Sequence, residues 1–234
     1  MLESKYLPLD EYIDMLSRSS NEVHMTNQNS KTGVACWNLS MPTLTCREDA
    51  PCRPENGGSC YCEKGRQAFA KNKACRLRNW RILQENREDY WEQVEFRLKH
   101  SPLPYFRYND AGEIPDYQYI TEMVELAEKF PDIKFLAYTK MYEMVNQWIY
   151  DHGDSADVLP ENLCIRFSPW DKDWYVPNPY DLPMAWVDFK RKEINPEFPE
   201  KCASCPNQKD KNVKCCGCGI CFNKNIHDVK FEQH

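Results

Sequence analysis

The chain has 234 residues, 41% hydrophobic and 13% aromatic, a globular composition long enough to bury a real core as one large domain or one domain with an appendage. A formal net charge of −6 argues against whole-molecule attraction to nucleic acid or to anionic membranes, and no run approaches the roughly 18 apolar residues of a membrane span. The opening MLESKYLPLDEY lacks the basic start and apolar stretch of a secretory signal. The expected compartment is therefore cytoplasmic, where thiols stay reduced and dense cysteine binds metal. An odd total of 13 cysteines also fits complete disulfide pairing poorly.

In chain order, a short amphipathic helix is expected near Leu9–Leu16, followed by a strand at Val34–Leu39 and then a cysteine-rich loop. Residues Lys64–Lys99 have few breakers and read as two helices. Pro104–Tyr108 reads as a strand running into the turn NDAGEI. A helix from Asp116 to Lys129 places Ile120, Val124, Leu126 and Ala127 on one face, and Pro131 ends it. Lys134–Tyr138 is a buried strand, Tyr142–Tyr150 a helix and Leu163–Phe167 a strand, with Met184–Phe189 expected as the last strand. This alternation predicts βαβ units, hence a mainly parallel sheet or partial barrel whose strand carboxyl ends carry the ligands.

The first cysteine knot follows the first of these strands. Cys46, Cys52 and Cys60 are spaced C-x5-C-x7-C, with Cys62 just beyond. Three thiolates leave one coordination position open, which suits a reactive metal centre; a fourth ligand, Cys62 or Cys36, would close a structural zinc site instead. The next strand delivers RYNDAGEI, residues Arg107 to Ile114, to the same rim. There Gly112 permits close backbone approach to a ligand, and Glu113 offers a carboxylate to an ammonium group.

The terminal stretch KCASCPNQKDKNVKCCGCGICF places six cysteines among 22 residues. Cys215, Cys218 and Cys221 form a C-x2-C-x2-C run that can wrap one cuboidal [4Fe–4S] cluster, with Cys205, followed by Pro206, as the remote fourth ligand. Cys202, Cys205, Cys215 and Cys218 would alternatively make a zinc ribbon. Either centre would staple down a tail too short to fold by itself. His227 is a marginal substitute ligand near this run.

Between the knots, Lys64–Arg81 holds seven basic residues and no acidic ones. It is either a solvated face or a nucleic-acid grip with Trp80 as a stacking platform. Ser168–Pro183 combines four prolines with four aromatics, as a flap over the site or a structural cover. Lys140 and Arg166 would point toward the rim as lone charges.

A three-cysteine loop after one strand and a Gly-Glu pair after the next resemble the radical S-adenosylmethionine superfamily. Here the spacing is not C-x3-C-x2-C, and Ala111 stands where the first glycine of a Gly-Gly-Glu stretch would be. A closer resemblance spans most of the chain. SKTGVACWNLSMPTLTC, CYCEKGR, YFRYNDAGEI, FLAYTK and CPNQ…CCGCGICF, in that order, resemble the bacteriophage gene product 88 domain family. Cys60-Tyr61 matches a Cys-Tyr-Ala motif, with Cys62 in place of the alanine. Arg107, Asp110 and Gly112 match an Arg-x-His-Asp-Ser-Gly-Asp-like motif, with Asn109 for the histidine and Glu113 for the aspartate.

These resemblances imply a phage protein made in a host bacterial cytoplasm, with an α/β, radical-SAM-like partial (βα) barrel and a C-terminal cysteine-rich metal-binding segment. They imply a cofactor site at Arg107, Asp110, Gly112 and Glu113 and one or two [4Fe–4S] clusters at Cys46, Cys52, Cys60, Cys205, Cys215, Cys218 and Cys221. Zinc is the alternative at the C-terminal site. The expected organisation is an N-terminal extension (1–30), the barrel with the first cluster (31–195) and the cysteine-rich segment (196–234). The expected function is reductive cleavage of S-adenosylmethionine to act on an unknown substrate. The alternative is a non-catalytic iron–sulfur or zinc protein that binds a host or phage partner.

Overall fold

A computed structural model describes residues 8–233; the first seven residues of the N-terminal extension lie outside it. Helix α1 (Leu9–Ser17) is followed by strands β1 (Met25–Thr26) and β2 (Cys36–Leu39) and the first cysteine loop. Helices α2 (Ala70–Glu85) and α3 (Arg87–His100) are separated at Asn86, whose extended backbone breaks the helix while its side chain accepts from the Asp89 N–H and caps α3. Then come β3 (Tyr105–Tyr108), α4 (Tyr117–Lys129), β4 (Lys134–Thr139), α5 (Tyr142–Asp151), β5 (Leu163–Phe167) and β6 (Met184–Asp188). Asp116 caps α4 by accepting from the Tyr119 N–H, and the same carboxylate binds Arg87 at 2.7 Å.

One eight-stranded sheet runs in the order β1-β2-β3-β4-β5-β6-β8-β7, where β7 is Ala203–Ser204 and β8 is Asp228–Glu232. Every pairing is parallel except β1 with β2. The alternating elements thus form the parallel sheet the sequence predicts, with one correction. Met184–Asp188 is not the last strand, because β8 pairs with it over five residues and draws the C-terminal segment into the same sheet.

Strand alternation divides the sheet into two faces. Trp37, Leu39, Phe106, Tyr108, Phe135, Ala137, Leu163, Ile165 and Phe167 point to one face, where they join the main core with the buried residues of α2 to α5. The opposite face presents Cys36, Asn38, Tyr105, Arg107, Leu136, Tyr138, Cys164 and Arg166. No helix of the βα units covers it. Instead the cysteine-rich tail lies there, with Cys215, Cys221 and Phe222 packed against Cys36, Leu136 and Cys164. This face is concave: the rings of Tyr138 on β4 and Phe231 on β8 are 5.9 Å apart, whereas three strand spacings in a flat sheet would separate them by roughly 14 Å. The sheet curls around the tail and stays open, with β1 and β7 at its edges.

Arg166 holds the tail in place. It rises from the concave face of β5, is fully buried, and donates to six backbone carbonyls: Cys221 (2.8 Å), Ile226 (2.8 Å), Asn223 (2.9 Å), His227 (3.0 Å), Ile220 (3.3 Å) and Met184 (3.4 Å). The planar fork of five N–H groups is what allows one side chain to collect so many acceptors. Arg166 therefore does not point to the rim as a lone charge. Arg166→Met is expected to lower unfolding stability by at least about 3 kcal/mol, because several buried carbonyls lose their donor at once. Arg166→Lys, with three donors, is expected to recover part of it. A denaturant midpoint displaced by less than about 1 kcal/mol in Arg166→Met would contradict this role.

Candidate metal and cofactor sites

All 13 cysteines are free thiols, and they fall into two neighbourhoods. The first lies at the carboxyl ends of β2, β3 and β4. The turn after β3 is stitched to the end of β2 by Asp110 N–H to Leu39 O (3.1 Å) and Met41 N–H to Ala111 O (2.9 Å). Thr45 then ties the cysteine loop to the same turn, its hydroxyl accepting from the Glu113 N–H at 2.9 Å. Arg47 donates to Lys140 O and to Glu143, both at 3.0 Å, and lies over the Trp174 and Tyr142 rings. Within this frame Cys46, Cys52 and Cys60 are mutual neighbours. Burial pushes the Cys46 thiol up to about 12 and raises Cys52, with Glu113 and neighbouring thiols adding to the rise and Lys140 opposing it.

Cys62 is buried behind Cys60 and beside Arg76. The adjacent Cys62 thiol and nearby backbone groups lower Cys60, and the same proximity together with burial raises Cys62. Cys36 is not a fourth ligand for this loop: it lies on the concave face against Cys215, Cys221 and Phe222.

Glu113 is buried, and burial raises its carboxyl. Thr139 Oγ1 donates to it at 2.7 Å and the Lys140 N–H at 3.0 Å. Each carboxylate oxygen keeps a further lone pair. The Lys140 ammonium reaches Ser168 Oγ at 3.1 Å and lies 5.6 Å from the Trp170 ring. Asp110 is held by Ser40 and by Asn29 (2.9 Å). Gly112 uses its left-handed backbone (φ +76°) to approach Met41: a Cβ there would lie 2.5 Å from the Met41 carbonyl oxygen. Its special conformation thus serves the joint between turn and strand.

The second neighbourhood is the concave face. Cys205, Cys215, Cys218 and Cys221 line one small cavity together with Pro206 and Val229. Burial raises Cys215 and pushes Cys221 up to about 12. The left-handed Gly219 (φ +68°) turns the chain between Cys218 and Cys221. Cys202 does not line this cavity, and its charged neighbours are Asp228 and Lys230, so the Cys202-containing ribbon set is not brought together. His227 is held between Asp228 and Asp181. Among the described residues, no three His, Cys, Asp or Glu side chains converge on a point that would hold a single metal ion.

The basic stretch Lys64–Arg81 is largely spent within the fold. Arg76 is buried and donates to Gln67 O at 2.7 Å, Arg78 and Arg81 take carbonyls of Leu16, Ser17 and Ser20 at 3.1 Å, and Lys73 pairs with Glu63. Trp80 packs against the core. Ser168–Pro183 runs beside the rim and is tied to α5 by Asn146 to Pro177 O at 2.8 Å. Sequence reasoning missed Thr45, Arg47 and Tyr138; the position of the first two, flanking Cys46, was the available signal.

Gly57 and Gly112 share a left-handed backbone, but a Cβ at Gly57 meets nothing within 4 Å. Gly112→Ala is therefore expected to cost at least about 2 kcal/mol more than Gly57→Ala, the excess being the clash with Met41. Equal losses in paired denaturant titrations would contradict the tight joint.

Among the described residues no helix is long and apolar enough to cross a membrane. No curated protein and no solved structure matches the chain. Its sequence matches the family model described as Gene product 88 over residues 15–226, and the chain belongs to that family.

Proposed function

We propose that the chain is a phage-encoded iron–sulfur protein with a radical-SAM-like partial barrel, carrying one cluster on the concave face and a second at the rim. The observation that carries this reading is the shared cavity of Cys205, Cys215, Cys218 and Cys221. Zinc draws its sulfur ligands to within about 2.3 Å of one point, and no such convergence exists among the described residues. A cuboidal cluster separates its ligand sulfurs by its own width, which suits thiols spread around a cavity. The donor set fits as well, since these thiols are not paired in disulfides, and burial disfavours the thiolates of Cys215 and Cys221 until a cation stabilises them.

At the rim, Cys46, Cys52 and Cys60 would hold the second centre and leave one position open. When bound, such a centre supplies the electron that breaks the sulfonium S–C5′ bond of S-adenosylmethionine, giving methionine and a 5′-deoxyadenosyl radical for hydrogen abstraction. The chain's own contribution is positional. Thr139 and the Lys140 N–H hold the Glu113 carboxylate in a fixed direction beside Cys46 and Cys52, ready to accept from an ammonium group. Trp174 and Trp170 stand at the same rim, beside Arg47 and Lys140.

A second reading has its own observation. Both Glu113 oxygens already accept from the protein, which also suits a closed joint in a non-catalytic iron–sulfur or zinc protein that binds a partner.

Two experiments separate these readings. Cys62→Ala is expected to keep full iron while Cys60→Ala loses one cluster; loss of the rim cluster in Cys62→Ala would make that centre fully protein-ligated and closed to a cofactor. Adding S-adenosylmethionine to the reduced protein is expected to perturb the EPR signal of the rim cluster and, on prolonged reduction, to release 5′-deoxyadenosine. Glu113→Gln is expected to weaken the perturbation about tenfold or more in cofactor concentration, the loss of one charge-assisted hydrogen bond of about 1.5–3 kcal/mol. An unperturbed signal from an intact, reduced cluster would favour the partner-binding reading.

A further inference from the structure

On the concave face, the rows Cys36/Asn38, Tyr105/Arg107, Lys134/Leu136/Tyr138 and Cys164/Arg166 hold no carboxylate; Lys134 is exposed at the start of its strand, and the inner cations are Arg107 and Arg166. Arg166 is saturated with backbone carbonyls. Arg107 is not. Its Nε is buried without a hydrogen-bond partner, its Cζ lies 5.1 Å from the centre of the Tyr138 ring, and it forms no ion pair among the described residues. The carboxylate in its electrostatic reach, Asp110, is occupied by Ser40 and Asn29. On the tail side its neighbour is Cys215, for which Arg107 is the leading positive influence, and Tyr138 stands beside Cys221.

A half-buried guanidinium set over the Tyr138 ring, with its Nε buried and unpartnered, is stabilised when an anion completes its surroundings. Four thiolates around a doubly positive cluster leave a net negative charge to be balanced, and the cavity they line adjoins this guanidinium. We infer that Arg107 is the counter-charge of the C-terminal cysteine centre, holding it in the concave face and raising its reduction potential. This rests on the reading that Cys205, Cys215, Cys218 and Cys221 hold a cluster. From its place over the Tyr138 ring, Arg107 acts on the centre through space as a positioning residue and need not touch substrate.

The physical consequence is directional. Each added electron makes the centre more negative, so a nearby fixed positive charge favours the reduced form. The test uses the full chain with Cys46, Cys52 and Cys60 changed to alanine, so that the C-terminal centre alone titrates. Iron and sulfide are counted first, then the potential is followed by EPR in the parent, Arg107→Met and Arg107→Lys. With iron retained, Arg107→Met is expected to lower the reduced-to-oxidised ratio at fixed potential at least tenfold, a downward shift of about 59 mV for one electron, and Arg107→Lys to stay within threefold of the parent. If Arg107→Met cannot hold iron, retention by Arg107→Lys supports a charge role, and loss from both overturns it in favour of shape alone. An intact cluster in Arg107→Met with a ratio changed less than twofold overturns the inference while leaving the cluster reading standing. A parent without iron or labile sulfide overturns both.

Discussion

The buried guanidinium of Arg166 is the contact on which the architecture depends. A parallel sheet must cover both faces, and here the βα helices cover only one. The other face is closed by a tail with few large apolar side chains. Six carbonyls gathered by one side chain let that polar, cysteine-rich backbone lie against a sheet without orphaned acceptors. The same contacts fix Ile220 to His227 next to the last cysteines, so the geometry of the thiol cavity and the closure of the fold are one problem with one solution.

The two cysteine neighbourhoods consequently differ in kind. The rim group stands on loops at strand carboxyl ends, braced by Thr45, Arg47 and Glu113, in the position where α/β folds expose ligands. The concave group lies between the tail and the sheet, walled by Val229, with Arg107 beside Cys215. The first placement suits exchange with a ligand, and the second suits a centre that stays put and stabilises the tail. Cys36, Cys216 and Cys62 flank these groups without joining either set of proposed ligands.

Much of this was legible in the sequence. The runs VACWNL, PYFRY, FLAY and LCIRF are short, rich in aromatic or aliphatic residues, and each became a strand of the parallel sheet within a residue or two of its expected bounds. The grouping of Cys46 with Cys52 and Cys60, and of Cys205 with the Cys215 run, followed from spacing because a short loop cannot carry its thiols far apart. What escaped was set by tertiary contact. Strand β8 is five residues long and partly charged, and only pairing with β6 makes it a strand. Arg166 read as a lone charge because its partners are backbone carbonyls, which leave no trace in side-chain composition. The close approach of Gly112 to Met41, a neighbour 71 positions earlier, also escaped, because periodicity cannot reveal it.

The central claim is that the thiols on the concave face and at the rim hold iron–sulfur centres. Its most direct test is quantification of iron, zinc and acid-labile sulfide in anaerobically purified full-length protein, with Mössbauer spectra to identify the cluster type. The account predicts brown protein with about eight iron and about eight sulfide per chain, as two four-iron clusters require. Colourless protein with stoichiometric zinc and no labile sulfide would contradict it.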